Sequence, residues 1–176
     1  MAGGRVQRQG ERRLPMALAV VAAAVLYLFI PEQFRITEAS RWIYPIFLLV
    51  LLGVLVVGDP GRIDREKPWL RATTGLMIGV ITTAMAVSVV RLVSGILEGA
   101  QFGGAVQVLV TGGVIWASTV ISFALWYWHL DSGGPAARAN GSGAVLPAFR
   151  FPEHDLDGPH YEGWYPQFVD YLALAF

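Results

Sequence analysis

The residues best suited to chemistry lie near the C-terminus, in the segment "FPEHDLDGPHYEGW". Six of its side chains could bind a metal ion or move a proton: Glu153, His154, Asp155, Asp157, His160 and Glu162. Imidazole nitrogens and carboxylate oxygens are ligands for zinc and related divalent ions. Their spacing matches no metal motif, and Pro152, Gly158 and Pro159 predict a loop that fixes no ligand geometry. We therefore predict no tight metal site and no cofactor, and a metal-dependent membrane enzyme is the weakest of three functional hypotheses.

Two further residues stand out because they are ionisable and lie in apolar surroundings. Arg91 lies in "SVVRLVSGILEGA", where apolar residues keep helical spacing as far as Glu98. An ionisable side chain within a membrane helix is a functional candidate. Near the helix end, however, it can extend to the headgroups, so we interpret Arg91 as an interface anchor. The alternative is a cation that guards a solute path. His129 follows an aromatic run and is predicted to be an interfacial histidine whose hydrogen bonds are satisfied. No catalytic triad, phosphate loop or pair of intramembrane carboxylates occurs in the sequence, so we predict that the protein is not an enzyme.

The elements that position these residues are predicted from composition. Of 176 residues, 55% are hydrophobic and 15% are charged, whereas a typical soluble domain has about a quarter charged. Four blocks contain no Asp, Glu, Lys or Arg: 14–30, 43–58, 72–90 and 105–130. A bilayer core takes about 20 helical residues. Buried helices of a soluble bundle would each show a polar stripe, which these blocks lack. The sequence therefore predicts an all-α integral membrane bundle of four transmembrane helices, over residues 14–130.

The charges predict an orientation for these helices. An N-terminal tail of residues 1–13 and the second loop are rich in arginine. With four spans and the N-terminus inside, 10 cationic residues face the cytoplasm and 3 face outward. Cytoplasmic loops retain Lys and Arg, so both termini are predicted to be cytoplasmic. The formal net charge of zero argues against a nucleic-acid partner, and the predicted partner is the lipid bilayer.

Small residues recur at four-residue spacing in the third and fourth blocks. Gly75, Gly79 and Thr83 share one helix face, and Gly113 and Ala117 share another. Membrane helices associate where small residues allow close backbone approach. We interpret these positions first as helix–helix contacts within the chain and second as a seam in a homo-oligomer.

The last part of the chain has a different character. Residues 131–148 are rich in Gly, Ser and Ala and predict a flexible linker. Residues 149–176 predict an aromatic-rich loop and a short amphipathic helix that starts at about Gln167, where "PQFVDYLALAF" follows a proline. Eleven residues cannot cross a bilayer, so this helix is predicted to be interfacial or re-entrant. Asp170 is predicted to face water or to cap a neighbour.

The layout of spans, the "FALWYWHLDSGGP" end of the fourth span and the "FPEHD…GWYPQFVDYLALAF" tail resemble a family of bacterial multi-pass inner-membrane proteins with a domain of unknown function. The resemblance implies a location in the bacterial cell inner membrane. In that family the chain continues through a Thr/Ser-rich turn into one more transmembrane helix. The resemblance therefore implies that this sequence is C-terminally truncated.

The segment "FVDYLALAF" is also similar to the pore helix of tetrameric cation channels, with Phe168, Asp170 and Tyr171 at the aromatic–acid–aromatic positions. This similarity implies a channel- or transporter-like subunit that lacks its filter and last helix. Because a filter supplies the carbonyls that replace an ion's hydration shell, the chain alone is not expected to conduct selectively. The predicted orientation also places this segment on the cytoplasmic side, so the pore would be inverted. The alternative function is a non-transporting membrane scaffold or assembly partner.

Overall fold

The computed structural model describes residues 10–63, 65, 67–99, 104–140, 146–155 and 164–176. Most of these residues are helical, which confirms the all-α prediction. The helices are α1 (Leu14–Leu28), α2 (Ser40–Gly58), α3 (Pro68–Leu97), α4 (Ala105–Leu130), α5 (Pro135–Asn140) and α6 (Phe168–Ala175). Two short strands, β1 (Glu11–Arg12) and β2 (Arg62–Ile63), pair antiparallel with Glu11 opposite Ile63.

The helix boundaries follow from local chemistry. Proline occupies the first turn of α1 and of α3, where its missing N–H costs no hydrogen bond. At the start of α2, the backbone N–H of Ser40 donates to the Thr37 hydroxyl at 3.2 Å, which supplies a partner for an end group of the helix. The third helix extends to Leu97, as the apolar spacing around Arg91 predicts.

Three helical stretches in the described part of the chain are long and apolar enough to cross a membrane: Ser40–Gly58, Pro68–Leu97 and Ala105–Gly133. The first helix, Leu14–Leu28, is apolar but has only 15 residues. These lengths and compositions indicate a membrane protein.

The four long helices pack as a bundle in which α1 contacts α2 and α4, and α3 contacts the same two helices. Large or closely packed apolar side chains fill the centre: Val20, Ala23, Tyr27, Leu48, Leu55, Met77, Ile78, Ile81, Ala124, Leu125 and Trp128. The outer faces are apolar too, and between 28% and 39% of the most apolar part of α2, α3 and α4 is buried. Such extensive exposed apolar surface favours lipid over water as the surrounding medium.

Hydroxyl groups within the bundle bond in two ways. Thr82 and Ser122 share a hydrogen bond of 2.8 Å between α3 and α4, and the indole of Trp126 donates to the Thr82 hydroxyl at 2.8 Å. Other hydroxyls donate to the carbonyl four residues earlier in their own helix, as in Thr74, Thr83, Ser88, Ser118 and Thr119. The interhelical bonds tie α3 to α4, whereas the local bonds satisfy the hydroxyls without a neighbour.

The two ends of the bundle are closed differently. At one end, called here the ribbon end, β1 and β2 pair and a buried ion pair joins Arg13 to Asp59 at 3.0 Å. At the opposite end, Arg91 donates to the backbone carbonyls of Arg35 and Ile36. This contact ties the end of α3 to the α1–α2 connection.

The chain reverses sharply after α4. Ser132, Gly133 and Gly134 have positive φ angles of 51°, 83° and 98°. This left-handed backbone ends a helix and suits glycine, and α5 begins at the next residue, Pro135. Residues 131–140 were expected to belong to a flexible linker, but most of them are helical. They are also packed against the bundle, since Asp131, Arg138 and Ala139 are all buried.

Candidate functional site: the docked C-terminal helix

Helix α6 lies along α4 at the ribbon end of the bundle. The ring of Phe168, at its start, is 6.0 Å from that of Trp128 in an edge-to-face arrangement. The ring of Phe176, just past its end, is 5.3 Å from that of Trp116. Trp116 lies about 18 Å before Trp128 along α4, near the middle of that helix. Helix α6 therefore runs antiparallel to α4, from the ribbon end toward the middle of the bundle.

Asp131 is the first of two buried carboxylates that hold this helix. It directly follows α4 and is 2% exposed. Its Oδ2 accepts a hydrogen bond of 2.5 Å from the Tyr171 hydroxyl, and its Oδ1 accepts one of 2.7 Å from the backbone N–H of Ala148. Asp131 thus joins the end of α4 to both parts of the C-terminal region.

Glu11 is the second carboxylate and comes from the other end of the sequence. Its Oε2 accepts from the indole N–H of Trp128 at 2.7 Å, and its Oε1 accepts from the backbone N–H of Phe168 at 2.6 Å. A carboxylate at the start of α6 also interacts favourably with the positive end of the helix dipole. Burial raises the pKa of Glu11, although these two hydrogen bonds and the charge of Arg138 act in the opposite direction.

Arg138 of α5 lies between these groups and is 6% exposed. Its Nη1 donates to the backbone carbonyl of Asp131 at 2.7 Å, and its guanidinium carbon lies 4.9 Å from the centre of the Tyr171 ring. Within the described residues, its Nε and Nη2 have no hydrogen-bond partner. Burial lowers the pKa of Arg138, and the neighbouring Tyr171, Glu11 and Asp131 favour its charged form. One cation between two carboxylates offsets part of the cost of burying them.

An aromatic layer covers the polar cluster formed by Glu11, Asp131 and Arg138. Phe149 and Phe151 approach the ring of Tyr171 at 6.1 Å and 5.4 Å, both edge-to-face. Phe149 also lies 5.0 Å from Tyr127 of α4. Edge-to-face pairs add to the stability that burial supplies. Tyr171 and Asp131 beneath the layer are buried, so water is excluded from the hydrogen bond between them.

The pore-helix-like residues predicted from the sequence have different roles. Phe168 and Tyr171 share the buried face of α6. Asp170 does not join them, because it caps its own helix: the backbone N–H of Gln167 donates to its carboxylate at 2.7 Å. The helix begins at Phe168 with Gln167 as its N-cap, which confirms the predicted start.

The predicted helix-packing residues are only partly brought together. A Cβ atom at Gly75 would lie 3.3 Å from Nε2 of His129, so α3 and α4 approach closely there. A Cβ atom at Gly79 or Gly113 would meet nothing within 4 Å. Thr83 is exposed and Ala117 half-buried. The intramolecular contact is therefore seen at Gly75, whereas the seam between copies stays a prediction.

The polar cluster itself gives no local signal in the sequence. Glu11 lies in the basic tail, while Asp131 and Arg138 lie in the segment interpreted as a linker. The histidine- and carboxylate-rich segment largely falls outside the described residues: the structure gives the short 3-10 helix Pro152–Asp155 but not the side chains of His154 and Asp155, nor residues 156–163. In the described part, no group of three His, Asp or Glu residues is arranged to bind a metal.

Comparison of the sequence and the structure with those of known proteins reveals no relative. No protein-family model, curated protein or solved structure matches this chain. Its function must therefore be inferred from its own geometry.

Proposed function

We propose that this chain is a multi-pass membrane protein of the bacterial inner membrane and a channel- or transporter-like subunit, in which α6 is a re-entrant helix. The observation that carries the proposal is the position of α6, from Trp128 at the ribbon end to Trp116 near the middle of α4. If α4 spans the bilayer, the end of α6 lies at the depth of the hydrocarbon core. A short helix at that depth is tolerated because it packs on protein rather than lying free in lipid.

The first helix serves as a fourth span in this proposal. Its 15 residues cover about 22 Å of bilayer, and the apolar Phe29 and Ile30 extend it. It packs against both α2 and α4, so its position in the bundle is equivalent to that of the longer helices. A slightly thinner or locally deformed bilayer accommodates the difference at modest cost.

The distribution of cations supports an orientation with both termini in the cytoplasm. The β1–β2 pairing brings the N-terminal segment and the α2–α3 connection to the same end, and α5 contacts both strands. This ribbon end carries Arg12, Arg13, Arg62, Arg65, Lys67, Arg71, Arg138 and Arg150. The opposite end carries Arg35, Arg41 and Arg91. The positive-inside rule then assigns the ribbon end to the cytoplasm.

The direction of α6 favours a role in handling cations. Its N-terminus is capped at the ribbon end by Gln167 and Asp170, and its C-terminal half points toward the middle of the bundle. The C-terminal end of a helix carries partial negative charge. In transporters and channels, such half-membrane helices aim their ends at an ion near the midplane.

A scaffold is the second candidate, and the hydroxyl groups of the spans favour it. Within the described residues, buried Ser88, Ser118 and Thr74 all donate to carbonyls of their own helix, so they line no evident polar path. Beside α6, the side chains of Trp116, Leu174 and Phe176 are about half exposed or more. An apolar surface of this kind suits the docking of another membrane helix.

The deciding experiment is a measurement of the depth of α6. The chain has no cysteine, so a single Leu174→Cys, which is half exposed, can carry a spin label in reconstituted vesicles. We expect a lipid-soluble paramagnetic reagent to change the relaxation of the spin label, and a water-soluble paramagnetic reagent to have little effect on it. Glu38→Cys, exposed at the opposite end, is the control that should respond to the aqueous reagent. A water-accessible label at position 174 would refute the re-entrant helix.

Flux measurements then separate the two functions. Vesicles that contain the protein are tested for potassium, sodium and proton flux against empty vesicles. A flux that decreases in Tyr171→Phe supports the transport role, because that variant loosens α6 without changing an exposed charge. A deep label at position 174 without any flux favours the scaffold.

Orientation is tested by labelling in intact cells. Arg12→Cys lies at the ribbon end and Glu38→Cys at the opposite end, and both positions are exposed. An impermeant thiol reagent should label position 38 and spare position 12. The reverse pattern would invert the proposed topology.

A further inference from the structure

A cavity of about 420 Å³ opens at the ribbon end, next to the α6 docking site, with which it shares Trp128. Its walls come from the end of α2, the start of α3, the end of α4 and the start of α5. Small-molecule sites in proteins have volumes of roughly this size. The cavity is therefore large enough for a ligand with one charged group and a small apolar part.

The lining is strongly cationic. Arg13, Arg65, Lys67 and Arg71 line it, with Asp59 as the acidic residue. Asp59 is already engaged: it pairs with Arg13 at 3.0 Å and lies 3.6 Å from Arg65. The described lining thus carries a net positive charge, and its carboxylate is neutralised by neighbours rather than presented to a ligand.

Two of these cations have no binding partner among the described residues. The side chains of Lys67 and Arg71 make no hydrogen bond or ion pair with the described residues. They are four residues apart at the start of α3, whose first turn contains no acidic residue. Like charges at this spacing repel each other, and both oppose the positive end of the helix dipole. A bound anion would remove both penalties.

A buried histidine supplies an independent sign of a ligand. His129 lines the cavity and is 7% exposed. Its ring contacts Trp126 edge-to-face at 6.4 Å, but its nitrogens have no hydrogen-bond partner among the described residues. Among the described residues, the fully buried side-chain atoms without a partner belong to Tyr44 and Arg138 and not to His129, so the His129 nitrogens remain accessible. The absence of a side chain at Gly75, which lies close to Nε2 of His129, leaves that nitrogen room beside the cavity.

The remaining wall is apolar. Leu55, Leu70 and Trp128 contribute to it, and they belong to the helices that form the bundle core. Cationic pockets at the cytoplasmic ends of membrane helices bind phosphate-bearing headgroups, whose attached chains follow the apolar surface. Cations without a partner among the described residues, an accessible imidazole and an apolar wall together define the chemistry of the ligand.

We infer that this cavity is a binding site for a phosphate group, in which Lys67 and Arg71 neutralise the anion and His129 donates a hydrogen bond from the inner wall. The phosphate belongs either to an anionic phospholipid or to a free phosphate compound. The site does not depend on the proposed role of α6, because none of its residues belongs to that helix.

The test is ligand-dependent thermal stability of the full chain in a neutral detergent. The probes are short-chain phosphatidylglycerol, short-chain phosphatidylcholine as its zwitterionic control, and inorganic phosphate. The key variant is Lys67→Gln/Arg71→Gln. Arg12→Gln is the matched control, because Arg12 is exposed at the same end and does not line the cavity.

We expect phosphatidylglycerol to raise the unfolding temperature of the wild type and of Arg12→Gln, with at least tenfold weaker apparent affinity in the double variant. Without ligand, the double variant should be at least as stable as the wild type, because it loses the repulsion at the start of α3. A response to phosphatidylglycerol alone identifies a lipid site, whereas a response to inorganic phosphate as well identifies a site for soluble phosphates. The inference is overturned if no probe stabilises the wild type, or if the double variant responds as Arg12→Gln does.

Discussion

The hydroxyl of Tyr171 donates a 2.5 Å hydrogen bond to the buried carboxylate of Asp131, and this bond joins the middle of α6 to the end of α4. The same tyrosine ring lies against the guanidinium of Arg138 and beneath Phe151. One side chain therefore contacts the polar cluster with its hydroxyl and the aromatic layer with its ring. This dual contact makes Tyr171 the most informative position at which to test the docking of α6.

Tyr171→Phe is expected to loosen α6 without disturbing the bundle. The ring remains, but Oδ2 of Asp131 loses its donor, and an unsatisfied buried acceptor costs about 1–3 kcal/mol. We expect a lower unfolding temperature in detergent and faster proteolysis within residues 164–176. Tyr127→Phe is the control, because the Tyr127 ring packs on Phe149 while its hydroxyl has no hydrogen-bond partner in the described structure. Equal stability of the two variants would show that the Asp131 bond does not hold α6.

The sequence predicts the local features of this site but not its long-range contacts. The start of α6 is predictable because Pro166 and the spacing of Phe168 and Tyr171 are local signals. The partners of α6 are not, because the hydrogen bond between Phe168 and Glu11 connects residues 157 positions apart. Hydrophobic periodicity indicates that a helix has a buried face, but not which polar group it meets at the end of a bundle.

The same limit explains the two differences found at glycine-containing segments. Gly and Ser after α4 are typical of a linker, yet here they supply the positive φ angles of a tight reversal. Four-residue spacing of small residues predicts close helix approach, yet only a structure shows whether a neighbour lies beside that face. Gly75 has such a neighbour in His129, whereas Gly79 does not.

This difference between two glycines of α3 yields a direct test. Gly79→Leu is expected to leave the stability of the isolated chain within about 0.5 kcal/mol of the wild type, as for other substitutions on an open surface. Gly75→Leu must displace His129 and is expected to cost about 1–3 kcal/mol, as overpacking typically does. Thermal unfolding in detergent compares the two variants. A Gly79→Leu protein that loses stability together with an oligomer would instead place a second copy against this face.

The ion pair between Arg13 and Asp59 is expected to be essential as a pair rather than as two separate charges. Both residues are buried, and Arg13 also donates from Nε to the backbone carbonyl of Asp59 at 3.0 Å. Burial lowers the pKa of Arg13, and Asp59 favours its charged form. Asp59→Asn leaves this cation unpaired, which should cost about 3–5 kcal/mol.

The control for this prediction replaces both charges. The Arg13→Met/Asp59→Leu double variant buries no unpaired charge, so its unfolding temperature should lie well above that of Asp59→Asn. If the double variant is as unstable as the single one, the loss at Asp59 is due to packing or to Arg65 rather than to the orphaned Arg13.

Glu11 is expected to make the stability of the docked region depend on pH. Burial raises the pKa of Glu11 above the ordinary value of 4.5, and the nearby Asp170 adds to this effect. The hydrogen bonds that Glu11 accepts from Trp128 and Phe168, and the charge of Arg138, lower the pKa by a smaller amount. The folded state therefore binds the proton more tightly than the unfolded state. Stability from this group is complete below pH 4.5 and is lost as the pH rises through the higher folded-state pKa.

The Glu11→Gln variant carries no titrating group at this position. The unfolding temperature of the wild type minus that of Glu11→Gln should therefore decrease from pH 4.5 toward pH 8. Glu38→Gln, at an exposed carboxylate of the opposite end, controls for the change of charge. A wild-type advantage that grows with pH would mean that the hydrogen bonds to Glu11 outweigh its burial.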